Sequence, residues 1–113
     1  MPPELKNILE DLCTWAEKEK SINRVYLFGS YARNEAGPKS DLDIAIEINP
    51  NEEEQDVFSI WVDQHPMYLN ALSQMIPVDV HLELLDNGYT KRIQNAVDTD
   101  GRLVYERKSK ASG

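Results

Sequence analysis

Phe28-Gly29-Ser30-Tyr31-Ala32-Arg33, running on to Ser40-Asp41-Leu42-Asp43-Ile44-Ala45-Ile46, is the stretch whose reading decides the fold. The apolar run Val25-Tyr26-Leu27-Phe28 leads into it as a buried strand. Gly29-Ser30 turns the chain into a short helical segment from Tyr31 to Glu35, which Gly37-Pro38 breaks. A second strand starts at Asp41. Its alternation sets Leu42, Ile44, Ile46 and Ile48 on one face and Asp41, Asp43, Ala45 and Glu47 on the other. Two carboxylates therefore project the same way at the start of a strand whose opposite face is apolar. Such pairs hold hard cations, and a Gly-Ser turn opening a helix is a seat for phosphate. The combination points to a site for a metal-bound nucleotide.

Bulk properties narrow the classes. With 113 residues, 41% of them hydrophobic, the expected unit is one compact domain. The net charge of −8 argues against a polynucleotide partner, because gripping a nucleic-acid backbone requires Lys and Arg to neutralise phosphates. The single cysteine, Cys13, excludes an internal disulfide and fits a reducing compartment. It lies beside Glu10 and Asp11, away from the cationic surroundings a reactive thiol needs, and reads as inert packing. No basic-then-apolar leader opens the chain, and no apolar run approaches the roughly 20 residues of a membrane helix. The expectation is a cytoplasmic protein with no membrane association.

Outward from the central stretch, Leu5, Ile8, Leu9, Leu12 and Ala16 recur at helical spacing and define a first helix. The first strand occupies residues 24–28. After Asn49-Pro50-Asn51, Glu52-Glu53-Glu54 starts another helix, three acids in the first turn suiting the helix dipole. Val57, Ile60 and Trp61 continue it, and Pro66 either kinks it or starts a separate short helix through about Gln74. Beyond Pro77, Val78, Val80, Leu82 and Leu84 alternate with Asp79, His81 and Glu83 in a third strand. Asp86-Asn87-Gly88 reads as a turn. Tyr89, Ile93 and Val97 mark a last helix, stopped by Asp98-Thr99-Asp100-Gly101, and Leu103-Val104-Tyr105 forms an edge strand. The expected architecture is an α/β (α+β) sandwich. Its short mixed sheet is covered by helices on one side, with Asp41, Asp43 and Asp79 on the other. Residues 1–106 form the domain and 107–113 a disordered tail.

These acids match the needs of nucleotidyl transfer. A nucleoside triphosphate carries about four negative charges, which carboxylates alone would repel. Two Mg²⁺ ions roughly 3.5–4 Å apart bridge acids to phosphates and acidify the attacking hydroxyl. Asp41 and Asp43 can share both ions, and Asp79 on a neighbouring strand completes the set and accepts the proton. Gly29 lets a phosphate approach the main chain. Ser30 donates to it, and Arg33 either reaches a phosphate or pairs with an acid to hold the loop. His81, on the same face as Asp79, reads as structural.

Gly29-Ser30, ten intervening residues and Asp41-Leu42-Asp43 resemble the signature of the polymerase-β-like nucleotidyltransferases. The small size and Gly29-Ser30-Tyr31-Ala32-Arg33 are most similar to the minimal nucleotidyltransferases, a group that includes the MntA-type antitoxins. The resemblance spans roughly residues 5 to 105. It implies phosphate binding by Gly29 and Ser30, Mg²⁺ binding by Asp41 and Asp43, and a third catalytic acid at Asp79. It also implies ATP as substrate, a helical HEPN-domain toxin as partner, and transfer of AMP to a tyrosine of that partner. The chain departs from the pattern at Asn34, where many relatives carry a glycine after the basic residue. Two other readings stand beside this one: a catalytically inactive module that neutralises the HEPN partner by complex formation, and a small-molecule nucleotidyltransferase whose acceptor pocket dimerisation would complete; a homo- or hetero-oligomer is open on each.

Overall fold

The computed structural model describes residues 5–37, 39–49, 56–85 and 91–107. Among them four strands form one sheet of order β3-β2-β1-β4, comprising β1 (Ile22–Phe28), β2 (Leu42–Ile48), β3 (Val80–Leu84) and β4 (Arg102–Glu106). The β1 strand runs antiparallel to both β2 and β4, whereas β2 and β3 are parallel. A parallel pair needs a crossover. Here that crossover includes α3 (Val57–Met75), which lies between β2 and β3 in sequence.

The sheet's apolar face carries Val25 and Leu27 from β1, Leu42, Ile44, Ile46 and Ile48 from β2, and Val80, Leu82 and Leu84 from β3. Helix α1 (Leu5–Lys18) buries Ile8, Leu12, Trp15 and Ala16 against this face, a stripe at the spacing of one helix side. Helix α3 adds Ile60, Tyr68 and Leu72. Trp15 and Tyr68 meet edge to face, centroids 5.4 Å apart, and tie the two helices together. Asp56 caps α3, its Oδ1 accepting the Ser59 N–H at 2.7 Å. Pro66 stays inside one continuous helix, so the alternative of a separate second helix falls away.

A second, smaller core lies on the face that bears the acids. Phe28 and Ala45 from that side of the sheet, with Leu85, pack on Ile93 and Val97 of α4 (Lys91–Asp100). Helical cover is thus present on both faces, which the sequence reading did not anticipate. Ala45 makes it possible: its small side chain leaves room for α4 immediately beyond Asp43.

Arg107, assigned to the tail from sequence, is fixed. Its N–H donates to the Asn23 carbonyl at 2.7 Å. Its guanidinium donates to the carbonyls of Ala16 (2.9 Å), Glu19 (3.0 Å) and Ile22 (3.0 Å). It thereby ties the end of α1 to the start of β1 through carbonyls of both. Cys13 donates its thiol to the Val104 carbonyl at 3.2 Å, and burial followed by the Glu17 charge pushes its pKa up, as inert packing requires. The expectations for Glu52-Glu53-Glu54, Asp86-Asn87-Gly88, Tyr89 and residues 108–113 lie outside the described residues.

Candidate active site

The β1 strand delivers the chain to Gly29, whose φ of 74° is left-handed and open to glycine at little cost. Its position has a second reason. Phe28 pairs with Asp43 across the antiparallel β1/β2 ladder, so Gly29 comes up against the Asp43 side chain. A Cβ on residue 29 would overlap the Asp43 carboxylate and stand 2.9 Å from its Cγ. The glycine is a cradle for Asp43 as well as a turn.

Beyond Gly29 the chain makes one helical turn, α2 (Gly29–Ala32), fixed in the main core through buried Tyr31. The Ser30 carbonyl accepts the Glu35 N–H at 2.8 Å and closes the turn. Asn34 adopts φ 60°, the left-handed conformation a glycine takes without strain and asparagine tolerates better than most. The residue that stands where the family pattern has a glycine thus takes up a conformation that a glycine also adopts. Of the two roles considered for Arg33, the structure displays the pairing role. Its Nε meets Glu35 Oε1 at 2.6 Å and its Nη1 meets Asp100 Oδ2 at 3.3 Å, linking this turn to the end of α4.

Asp41 and Asp43 precede and occupy the start of β2, on the face opposite Leu42 and Ile44. The parallel register sets His81 of β3 level with Asp43. The imidazole spans both carboxylates, Nδ1 standing 3.4 Å from Asp43 Oδ1 and Nε2 standing 3.7 Å from Asp41 Oδ2. Burial pushes the Asp43 carboxyl above its usual range and the Asp41 charge adds to this, while His81 and Arg33 pull it back.

Asp79 precedes β3 as Asp41 precedes β2. It sits just before β3, its carbonyl accepting the Leu42 N–H at 2.8 Å, and its exposed side chain helps line an open cleft of about 440 Å³ with Lys39, Ser40 and Asp41. The register that sets His81 level with Asp43 also sets Asp79 beside Asp41, so the fold brings Asp41, Asp43, Asp79 and His81 to one end of the sheet. Among the described residues no three His, Cys, Asp or Glu side chains stand as a ready-made metal cage. Two carboxylates side by side against a glycine cradle nonetheless fit a hard dication. The sequence reading missed the place of His81. Its alternation with Val80 and Leu82 put it on the correct face, but only the β2/β3 register sets it level with Asp43.

The family description "Polymerase beta, Nucleotidyltransferase" matches residues 10–110. The chain belongs to this family. Membership places it among the nucleotidyltransferases, and the mixed α/β architecture agrees. Among solved structures, a toxin–antitoxin complex with AMP-PNP superposes with a TM-score of 0.61 at 22% identity, covering 90% of this chain and 73% of that one. The MntA–HepT toxin–antitoxin gives 0.59 at 19% identity, covering 92% and 74%. A Sulfolobus solfataricus protein assigned to the nucleotidyltransferases gives 0.50 at 27% identity, covering 91% and 78%. These likenesses show a shared fold. A search of curated proteins finds no match. Among the described residues no helix is long and apolar enough to cross a membrane.

Proposed function

We propose that this nucleotidyltransferase acts as an antitoxin, moving AMP from ATP to a hydroxyl, a tyrosine by the family resemblance, on a helical HEPN-type toxin. The observation that carries the reading is the Asp41–Asp43 pair seated against Gly29 beside the Gly-Ser turn, in a chain of this family. Likeness to toxin–antitoxin structures, one of them bound to AMP-PNP, supports both the nucleotide and the partner. The acidic chain, at −8, suits a protein acceptor better than a polynucleotide.

In this reading Asp41 and Asp43 hold two Mg²⁺ ions. When bound, these neutralise the triphosphate and acidify the attacking hydroxyl. Gly29 keeps the Asp43 carboxylate in place, and Ser30 offers its hydroxyl and N–H to the phosphates. Arg33, pinned by Glu35 and Asp100, moderates the negative charge at Asp43. The acceptor oxygen bonds to the α-phosphorus as its bond to the pyrophosphate oxygen breaks. Asp79, at the cleft mouth beside Asp41, takes the acceptor's proton.

That no three His, Cys, Asp or Glu side chains among the described residues form a ready-made metal cage favours one second reading, an inactive module that silences the toxin by binding alone. Co-expression with the toxin separates the two. Wild type restores growth in both cases, whereas an Asp41→Asn/Asp43→Asn double variant that still forms the complex fails to protect if chemistry is required. Protection by the double variant equal to wild type would establish the binding module instead.

A further inference from the structure

Helix α3 is apolar on two sides. Ile60, Tyr68 and Leu72 face the core. A second strip, Phe58, Trp61, Val62, His65 and Pro66, repeats at i, i+3, i+4, i+7 and i+8, the spacing of one helix side. Phe58 and Val62 are 53% and 59% exposed, and Trp61 packs its ring against His65 with centroids 4.5 Å apart. A surface helix needs one apolar strip to hold it to its domain. A second one, built of large side chains in water, marks a face for another molecule. Its border is acidic. Asp63 stands exposed beside Val62, Asp56 caps the helix, and the chain has no Lys or Arg between Lys39 and Lys91.

We propose that this strip docks the helical toxin, through a toxin surface that is apolar and bordered by Lys or Arg. For the partner's identity the inference rests on the antitoxin reading. Charge favours that partner over the other occupants. A second copy laid strip to strip about a twofold axis would bring Asp63, near the middle of the strip, against its own counterpart. An anionic lipid surface would meet the same acids. A basic partner instead gains from them in encounter rate and in register. The strip also lies away from the chemistry. Helix α3 begins after β2 and finishes just before β3, which is parallel to β2. Met75 is therefore toward the end that carries the acids, and Val62 is about 20 Å from Met75 along the helix. Docking there holds the toxin without filling the cleft at Asp41 and Asp79, and the acceptor hydroxyl reaches that cleft from a tethered partner.

Calorimetric titration with the toxin, and sedimentation of the chain alone, test this. Wild type is expected to bind the toxin, and Phe58→Ser/Val62→Ser to weaken it by on the order of tenfold or more. Asp63→Lys weakens it as well. Leu103→Ser, which removes a side chain 51% exposed on β4, leaves the affinity unchanged. In toxin labelling with ATP the double variant raises KM for the toxin and keeps kcat near wild type, as loss of a dock remote from the reacting atoms requires. Thermal unfolding checks that each variant is folded. An unchanged Kd in Phe58→Ser/Val62→Ser would overturn the inference while wild-type binding upheld the antitoxin reading. A wild-type dimer that the double variant dissociates, or binding to phosphatidylglycerol vesicles that it loses, would assign the strip to another occupant and overturn it too. Wild type with no affinity for the toxin would sink both.

Discussion

A methyl group on residue 29 would stand where the Asp43 carboxylate is, on a backbone already at φ 74°. Gly29→Ala therefore combines two penalties. The left-handed backbone costs an L-residue about 1–2 kcal/mol, and Asp43 must also move away from its cradle. We expect a fall in thermal midpoint on the order of 5–10 °C, together with loss of divalent-cation binding, measured by thermal unfolding and calorimetric titration. An unchanged cation affinity would show that Asp43 does not depend on the glycine. At this scale the sequence was readable in part. The left-handed turn and the shared face of Asp41 and Asp43 follow from residue type and alternation. The contact between Gly29 and Asp43 does not, because it arises from the pairing of Phe28 with Asp43 across two strands. His81 is the same case on the other side: its face was legible and its neighbour was not.

Elements show where local rules stop. The alternating β2 and β3 strands and the apolar stripe of α1 are strong periodic signals, and each appears as an element in the structure. Pro66 is a breaker by local rule, yet α3 runs through it from Val57 to Met75, its Tyr68 and Leu72 buried in the core beyond the proline. Packing on the sheet outweighs the one lost hydrogen bond. Arg107 is the opposite error, a residue whose basic, small-residue surroundings suggest a loose end. Its guanidinium instead gathers the carbonyls at the end of α1 and the start of β1, while its N–H extends β4 toward Asn23. Arg107→Ala is expected to lower stability by about 2–4 kcal/mol, since several carbonyls lose a charged donor together. Arg107→Lys should recover little, because an ammonium cannot reproduce the planar fork. Denaturant unfolding of the two variants measures both; full rescue by lysine would mean that charge alone matters there.

For the whole molecule, the sheet does two jobs with its two faces. One is sealed by α1 and α3 and supplies most of the core. The other is divided along the strands. Beyond Asp43, Ala45 admits α4, while the end that carries Asp41, Asp43 and His81 is left open beside Gly29 and Ser30. The order of elements implied the mixed sheet, because each comes from a strong local pattern. The cover by α4 was hidden, since it depends on which face the chain returns to after β3. An open acidic end, a phosphate-type turn and an overall charge of −8 fit the proposed handling of a metal-bound nucleotide with the acceptor on a partner. In the proposed function Asp41 and Asp43 carry AMP transfer. The direct measurement mixes the chain, Mg²⁺ and the helical toxin with ATP labelled at either the α- or the γ-phosphorus. Label on the toxin is expected from α-labelled ATP only, abolished by Asp43→Asn. Label from the γ-position, or α-label transfer undiminished in Asp43→Asn, would contradict it.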